Sequence, residues 1–126
     1  MIDLIDGLPD GVVGIEAVGE VTSDDYETVA IPALQRALAT HDKIRLLHVL
    51  GDRLTGHTAG ALWDDTRIGV AHARKFERIA VVTDLERFRA PLKAGSWAVP
   101  CEIRLFSNAE RADAETWISA DLQHAS

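Results

Sequence analysis

Ile79-Ala80-Val81-Val82 reads as a strand more firmly than any other part of the chain, and its neighbours set the class of fold. The run is apolar, rich in β-branched residues and too short for a helix. Upstream, Lys43-Ile44-Arg45-Leu46-Leu47-His48-Val49-Leu50 reads as a second strand buried mostly on both faces, the pattern of parallel sheets covered on two sides. Downstream, Asp84 is placed to cap a helix carrying Leu85, Phe88 and Leu92, which Pro91 and Gly95 keep short or broken before Trp97. After Pro100, Cys101 to Leu105 alternates like a strand with one covered face. Ser107 to Glu110 then has the spacing of a capping box ahead of a last helix with Ala112, Ala114, Trp117 and Ile118.

Toward the N-terminus, Val12 to Val18 lies between Gly11 and Gly19 and reads as a strand, paired with Ile2 to Ile5 across the Asp6-Gly7 turn. Thr22 with Asp25 resembles a capping pair. Behind it Tyr26, Val29-Ala30, Ala33-Leu34 and Ala37-Leu38 repeat at helical spacing to about Thr40. Pro32 has no N–H for the carbonyl of Thr28, so the first turns are expected to kink or separate. Gly51 to His57 reads as a loop, and a weaker helical pattern restarts near Thr58 with Leu62, Trp63, Val70 and Ala73. The order β-β-α-β-α-β-α-β-α predicts an α/β sandwich over 1–126, one domain, with a mostly parallel central sheet of about five strands and about four helices.

A chain of 126 residues can bury an adequate core without staples, and its single Cys101 cannot form an internal bridge. Thirteen Lys and Arg against twenty Asp and Glu give a net charge of -7, the wrong sign for neutralising phosphates, so no nucleic acid is expected as partner. No apolar run approaches the roughly 18 residues of a membrane span, and the first residues lack the basic start of a signal peptide. A cytoplasmic protein without integral membrane association is expected.

Gly19 to Tyr26 (GEVTSDDY), Ile31-Pro32, Lys43 to Leu47 (KIRLL), Ala61 to Asp65 (ALWDD), Phe76 to Asp84 (FERIAVVTD), Glu102 to Phe106 (EIRLF) and Trp117-Ile118 occur in an order and spacing that resemble the SpoIIAA-like family. These are small bacterial proteins with a STAS-type fold, also compared with the lipid-binding CRAL-TRIO domains. The resemblance spans about Gly11 to Ser119. It implies a STAS-like sandwich and often a homodimer, but no established activity. STAS proteins that antagonise anti-sigma factors carry a phosphorylatable serine at the start of the helix after the central strand. Here that stretch reads Gly51-Asp52-Arg53-Leu54-Thr55-Gly56-His57-Thr58 and has no serine. Phosphorylation of Thr55 or Thr58 would add charge beside Asp52 as well as Arg53, with no clear electrostatic preference.

No GxSxG, Walker or GxGxxG motif is present, and the glycines at 51 to 56 do not match a phosphate cradle, so an enzyme is disfavoured. Asp64 and Asp65 diverge by about 100 degrees on a helix and cannot readily share a proton or a metal. Asp65 with His72 on one face is the remaining acid–base pair, read as solvated or locally bonded. The histidines at 41, 48, 57, 72 and 124 never fall as HxH or HxxxH, so no metal and no cofactor is expected. Cys101, without a CxxC partner, reads as a small buried residue.

Residues 1–30 hold eight acids and no base, whereas 67–93 hold seven bases and three acids. Arg74, Lys75, Arg78, Arg87, Arg89 and Lys93 therefore form either a solvated face or a contact for an acidic partner. The expected function is a non-catalytic STAS-like domain binding a small apolar or amphipathic, lipid-like ligand. Leu62, Trp63, Phe88, Leu92 and Trp97 would line its site, under helices hinged near Gly56, Gly60, Pro91 and Gly95. The alternative is a regulatory module that contacts a protein partner through Asp52, Arg53, Thr55, His57 and Thr58.

Overall fold

The computed structural model describes residues 1–58, 60, 73–95 and 101–122. In chain order the strands are β1 (Ile2–Leu4), β2 (Val12–Ala17), β3 (Gly19–Val21), β4 (Ile44–Leu50), β5 (Leu54–His57), β6 (Phe76–Thr83) and β7 (Glu102–Phe106). Helix α1 spans 23–38, α2 is Glu86–Gly95 and α3 is Arg111–Ser119. The main sheet has the order β1-β2-β4-β6-β7, with β1 antiparallel to β2 and every other pairing parallel. This is the expected five-stranded, mostly parallel α/β sandwich. Three helices stand among the described residues against the four expected; most of the stretch assigned to the fourth, 61–72, lies outside them.

Alternation along each central strand feeds two apolar layers. Ile44, Leu46 and Leu50 of β4 join Tyr26, Ala30, Ala33 and Leu34 of α1 and Phe88 and Leu92 of α2 on one face. Leu47 and Val49 join Ala80, Val82, Phe106, Ala114, Trp117 and Ile118 on the other, beneath α3. Three rows of residues run across the α3 face: Val12-Arg45-Arg78-Glu102, Gly14-Leu47-Ala80-Arg104 and Glu16-Val49-Val82-Phe106. The middle of that face is apolar, but its two ends are charged.

The first charged end holds the C-terminus of α3. Arg45, buried at 6% exposure, donates to the carbonyl of Ile118 at 3.0 Å and to that of Ala120, and its Nε lies 2.6 Å from Glu77 Oε1. Arg78 donates to the Trp117 carbonyl at 3.1 Å and pairs with Asp121 at 3.3 Å. The last carbonyls of a helix have no intrahelical donor and carry partial negative charge, so two arginines in one sheet row fix where α3 ends. The Arg78 and Arg104 guanidinium groups also lie 5.2 and 4.9 Å from the Trp117 ring centroid.

Several local expectations hold. Thr22 and Asp25 form a reciprocal capping box, and Glu110 accepts the Ser107 backbone N–H at 2.8 Å. As expected, the turns before Pro32 separate from the regular helix: Tyr26–Ala30 is a π turn, in which the Ile31 N–H reaches back five residues to the Tyr26 carbonyl, and Pro32 falls in the first turn of the α-helical part that follows. Two expectations fail. Leu54–His57 is a strand rather than a loop, because it finds a parallel partner in β3 and so satisfies its backbone at long range. Asp84 does not cap α2: its carboxylate accepts the Asn108 N–H at 2.9 Å, while the Leu85 N–H goes to Thr83 Oγ1 at 3.1 Å.

Candidate functional site

Two depressions flank the carboxyl half of the sheet. The larger is a groove of about 450 Å³ between α2 and β7, lined by Arg89, Leu92, Lys93, Ile103, Arg104 and Leu105. Ile103 and Leu105 point toward α2 because strand alternation sends Arg104 to the opposite face, where its guanidinium covers Trp117. Arg104 therefore gives the groove its backbone. Arg89 donates to the carbonyls of Thr83 at 2.8 Å and Phe106 at 3.2 Å, which ties α2 to the ends of β6 and β7. Lys93 stands exposed at the rim, and Leu92 packs partly buried against the core. No residue of α2 is fully buried, and Pro91 lies within it.

Phe88, one turn before Leu92, is half-buried with its ring edge-on to His57, the centroids 5.5 Å apart. His57 ends β5, so the two sequence-predicted sites touch here. Of the five apolar residues expected around a ligand, the two that are described, Phe88 and Leu92, share one face of α2; Leu92 lines the groove and Phe88 does not. Leu62, Trp63 and Trp97 lie outside the described residues, as do Asp64, Asp65 and His72. Gly56, expected as a hinge, is held in β5 opposite Glu20.

The smaller depression, about 190 Å³, is lined by Glu16, Val49, Gly51, Asp52, Arg53, Val82, Asn108 and Arg111. Glu16 is 9% exposed and receives Arg53 through Nε at 3.3 Å and Nη2 at 3.1 Å, and Arg111 through Nη1 at 3.3 Å. Burial pushes the Glu16 carboxyl up, but the Arg53 hydrogen bond and the charges of Arg111 and Arg53 outweigh it and hold the group below its ordinary 4.5. Glu16 is thus a carboxylate clamped between two guanidiniums. Across the cleft, Asn108 Nδ2 donates to Asp52 Oδ1 at 2.9 Å.

Sequence reasoning found Asp52 and Arg53 but missed Glu16, Asn108 and Arg111, which reach the same cleft from β2 and from the turn into α3. In the sequence Glu16 shows only as an acid within an apolar strand. Thr55 is exposed; Thr58 is half-buried and its N–H donates to the Val21 carbonyl at 2.9 Å. Among the basic residues, Arg78 and Arg89 serve the fold, whereas Arg74, Lys75, Arg87 and Lys93 are exposed. Cys101 is half-buried, and burial pushes its thiol upward despite the charge of Lys43. No helix among the described residues is long and apolar enough to cross a membrane.

A family model described as SpoIIAA-like matches residues 12–119. A crystal structure of an uncharacterized protein of the DUF3478 family with a SpoIIAA-like fold, from Shewanella loihica PV-4, superposes with a TM-score of 0.72 at 29% identity. The superposition covers 94% of this chain and 92% of that one. No curated protein matches the chain.

Proposed function

This chain belongs to the SpoIIAA-like family, and on that footing we propose that it is a non-catalytic cytoplasmic domain whose groove between α2 and β7 holds an anionic amphiphile. The observation that carries the reading is the lining itself: Leu92, Ile103 and Leu105 form an apolar floor, and Lys93 supplies a cation at its edge. A volume of about 450 Å³ falls within the range of small-molecule sites, which are mostly apolar with a few placed polar groups. Arg89 is less available, since its guanidinium already serves two carbonyls. The cover can yield, because α2 buries none of its residues fully and carries Pro91.

A protein contact through residues 52–58 is the weaker reading. Asp52 and Arg53 are engaged with Asn108 and Glu16, and His57 packs on Phe88. The homodimer implied by the resemblance belongs to the same proposal, and light scattering of concentrated protein decides it.

The test of the groove is a titration of the isotope-labelled protein with decanoate, and with 1-decanol as the uncharged control, followed by amide shifts. Decanoate is expected to move the amides of Leu92, Lys93, Ile103 and Leu105, and Lys93→Glu to weaken it about tenfold, or roughly 1.4 kcal/mol. Unmoved groove amides, or equal affinity in Lys93→Glu, would sink the reading.

A further inference from the structure

The smaller cleft is independent of the groove and carries a different chemistry. Glu16, Val49 and Val82 form one row across β2, β4 and β6, near the carboxyl ends of three adjacent parallel strands, the edge at which open α/β sheets bind their ligands. Its walls are polar at both ends and apolar between them.

At one end Arg53 and Arg111 converge on Glu16. Each guanidinium has five N–H donors; toward Glu16 Arg53 uses Nε and Nη2, and Arg111 uses Nη1. The other donors are not spent on Glu16, whose carboxylate fixes both side chains in place, and Arg53 Nη2 also lies 3.6 Å from Asp3 Oδ2. Arg53 and Arg111 stand against Glu16 and Asp3, so charge is balanced there, and a second carboxylate would be held by the guanidinium N–H donors that Glu16 leaves unused.

At the other end the Asn108 side chain has only one possible orientation. Its partner there, the Asp52 carboxylate, can only accept, so the atom 2.9 Å from it is Nδ2 and the other is Oδ1. That Oδ1 is shielded from solvent and accepts no hydrogen bond among the described residues. A buried acceptor without a donor is unfavourable, and an N–H group in the cleft would satisfy it. Gly51 forms the floor beneath it. A Cβ there would meet Val49 Cγ1 at 3.7 Å and Asn108 Oδ1 at 3.8 Å, so the missing side chain leaves space that a methyl group would fill at ordinary contact distance.

We propose that this cleft binds a small α-amino acid, with its carboxylate on Arg53 and Arg111 and its ammonium between Asn108 Oδ1 and Asp52. A volume of about 190 Å³ lies below the 300–1,000 Å³ of drug-sized sites and so selects a small molecule. Val49 and Val82 supply an apolar wall for a short aliphatic side chain.

The experiment is an amide-shift titration with L-alanine, propionate and ethylamine, which share the aliphatic part and differ in charge. L-alanine is expected to shift Gly51, Asn108 and Arg111 at millimolar concentration, and propionate and ethylamine to bind at least about tenfold more weakly. Gly51→Ala fills the floor without a clash; it is expected to keep the wild-type unfolding midpoint and lose L-alanine binding about tenfold. Arg111→Gln is expected to weaken L-alanine and propionate alike. Lys93→Glu, at the groove, leaves L-alanine unaffected, so the two sites stand or fall separately. Absence of shifts in the cleft, propionate binding as well as L-alanine, or unchanged binding in Gly51→Ala would each overturn the proposal.

Discussion

Replacing Gly14 with alanine sets two effects of opposite sign against each other. Glycine inside a strand is unfavourable by roughly 0.5–1 kcal/mol relative to alanine, because the unfolded chain is freer. On that ground alone Gly14→Ala would stabilise β2. Gly14, however, lies buried on the α3 face opposite Leu47, where the chain at Ile5 and Leu8 covers β2. A Cβ would stand 2.6 Å from Leu8 Cδ1 and 2.8 Å from Ile5 Cβ, well inside the ~3.5–4.0 Å optimum for carbon pairs. The Leu8 methyl ends a flexible side chain and can swing away. Ile5 Cβ cannot, because it is one bond from a backbone whose N–H donates to the Gly14 carbonyl at 2.9 Å. Overpacking of this kind costs about 1–3 kcal/mol, so the net expectation is a loss of about 1–2 kcal/mol. In urea this appears as a lower midpoint with an unchanged slope, and on heating as a fall of several degrees in Tm. Leu8→Ala in the Gly14→Ala background should recover less than half of the overpacking, since the Ile5 contact persists. A Gly14→Ala protein as stable as wild type, or more so, refutes the reasoning.

Two further outcomes follow from the charged ends of the α3 face. Glu16 has a folded pKa below its ordinary 4.5, so it contributes stability that is fully present above pH 4.5 and is lost as pH falls through the folded value. The urea midpoint is therefore expected to be flat from neutrality down to about pH 5 and to drop below that. Glu16→Gln should lower the neutral midpoint and make the acid limb shallower; an acid limb as steep as wild type counts against the clamp. Arg45→Leu removes the donors that the Ile118 and Ala120 carbonyls receive, at a cost of about 2–4 kcal/mol. Hydrogen exchange should show α3 losing protection first, and uniform loss across the sheet contradicts the assigned role.

The sheet was legible because its evidence is local. Ile79–Val82 is a continuous apolar run and Ile44–Leu50 is apolar but for Arg45 and His48, the pattern of strands covered on both faces. The Thr22/Asp25 and Ser107/Glu110 boxes were legible for the same reason, since a cap is read over three residues. What escaped depends on pairs distant in sequence. β5 is four residues long and exists because β3 lies beside it. Asp84 has the composition of a helix cap, yet its carboxylate meets an N–H 24 positions on. The cleft draws on β2, on the chain after β4 and on the start of α3, and it could be read only once Glu16 and Val49 were known to share a row.

The contact between His57 and Phe88 limits how strongly the groove and the cleft can influence one another. Arg53 walls the cleft, His57 lies four residues on in β5, and Phe88 lies one turn before Leu92 in the groove. Edge-on ring pairs contribute about 0.5–1.5 kcal/mol beyond their buried area. A ligand that made or broke this contact alone would change affinity at the other site by at most that energy, about 2- to 12-fold, and the effect would be equal in both directions. Binding of decanoate with and without saturating L-alanine measures it, and Phe88→Leu should abolish whatever coupling is found. A coupling well above 12-fold would require a second connection, because one ring contact does not hold enough energy to carry it.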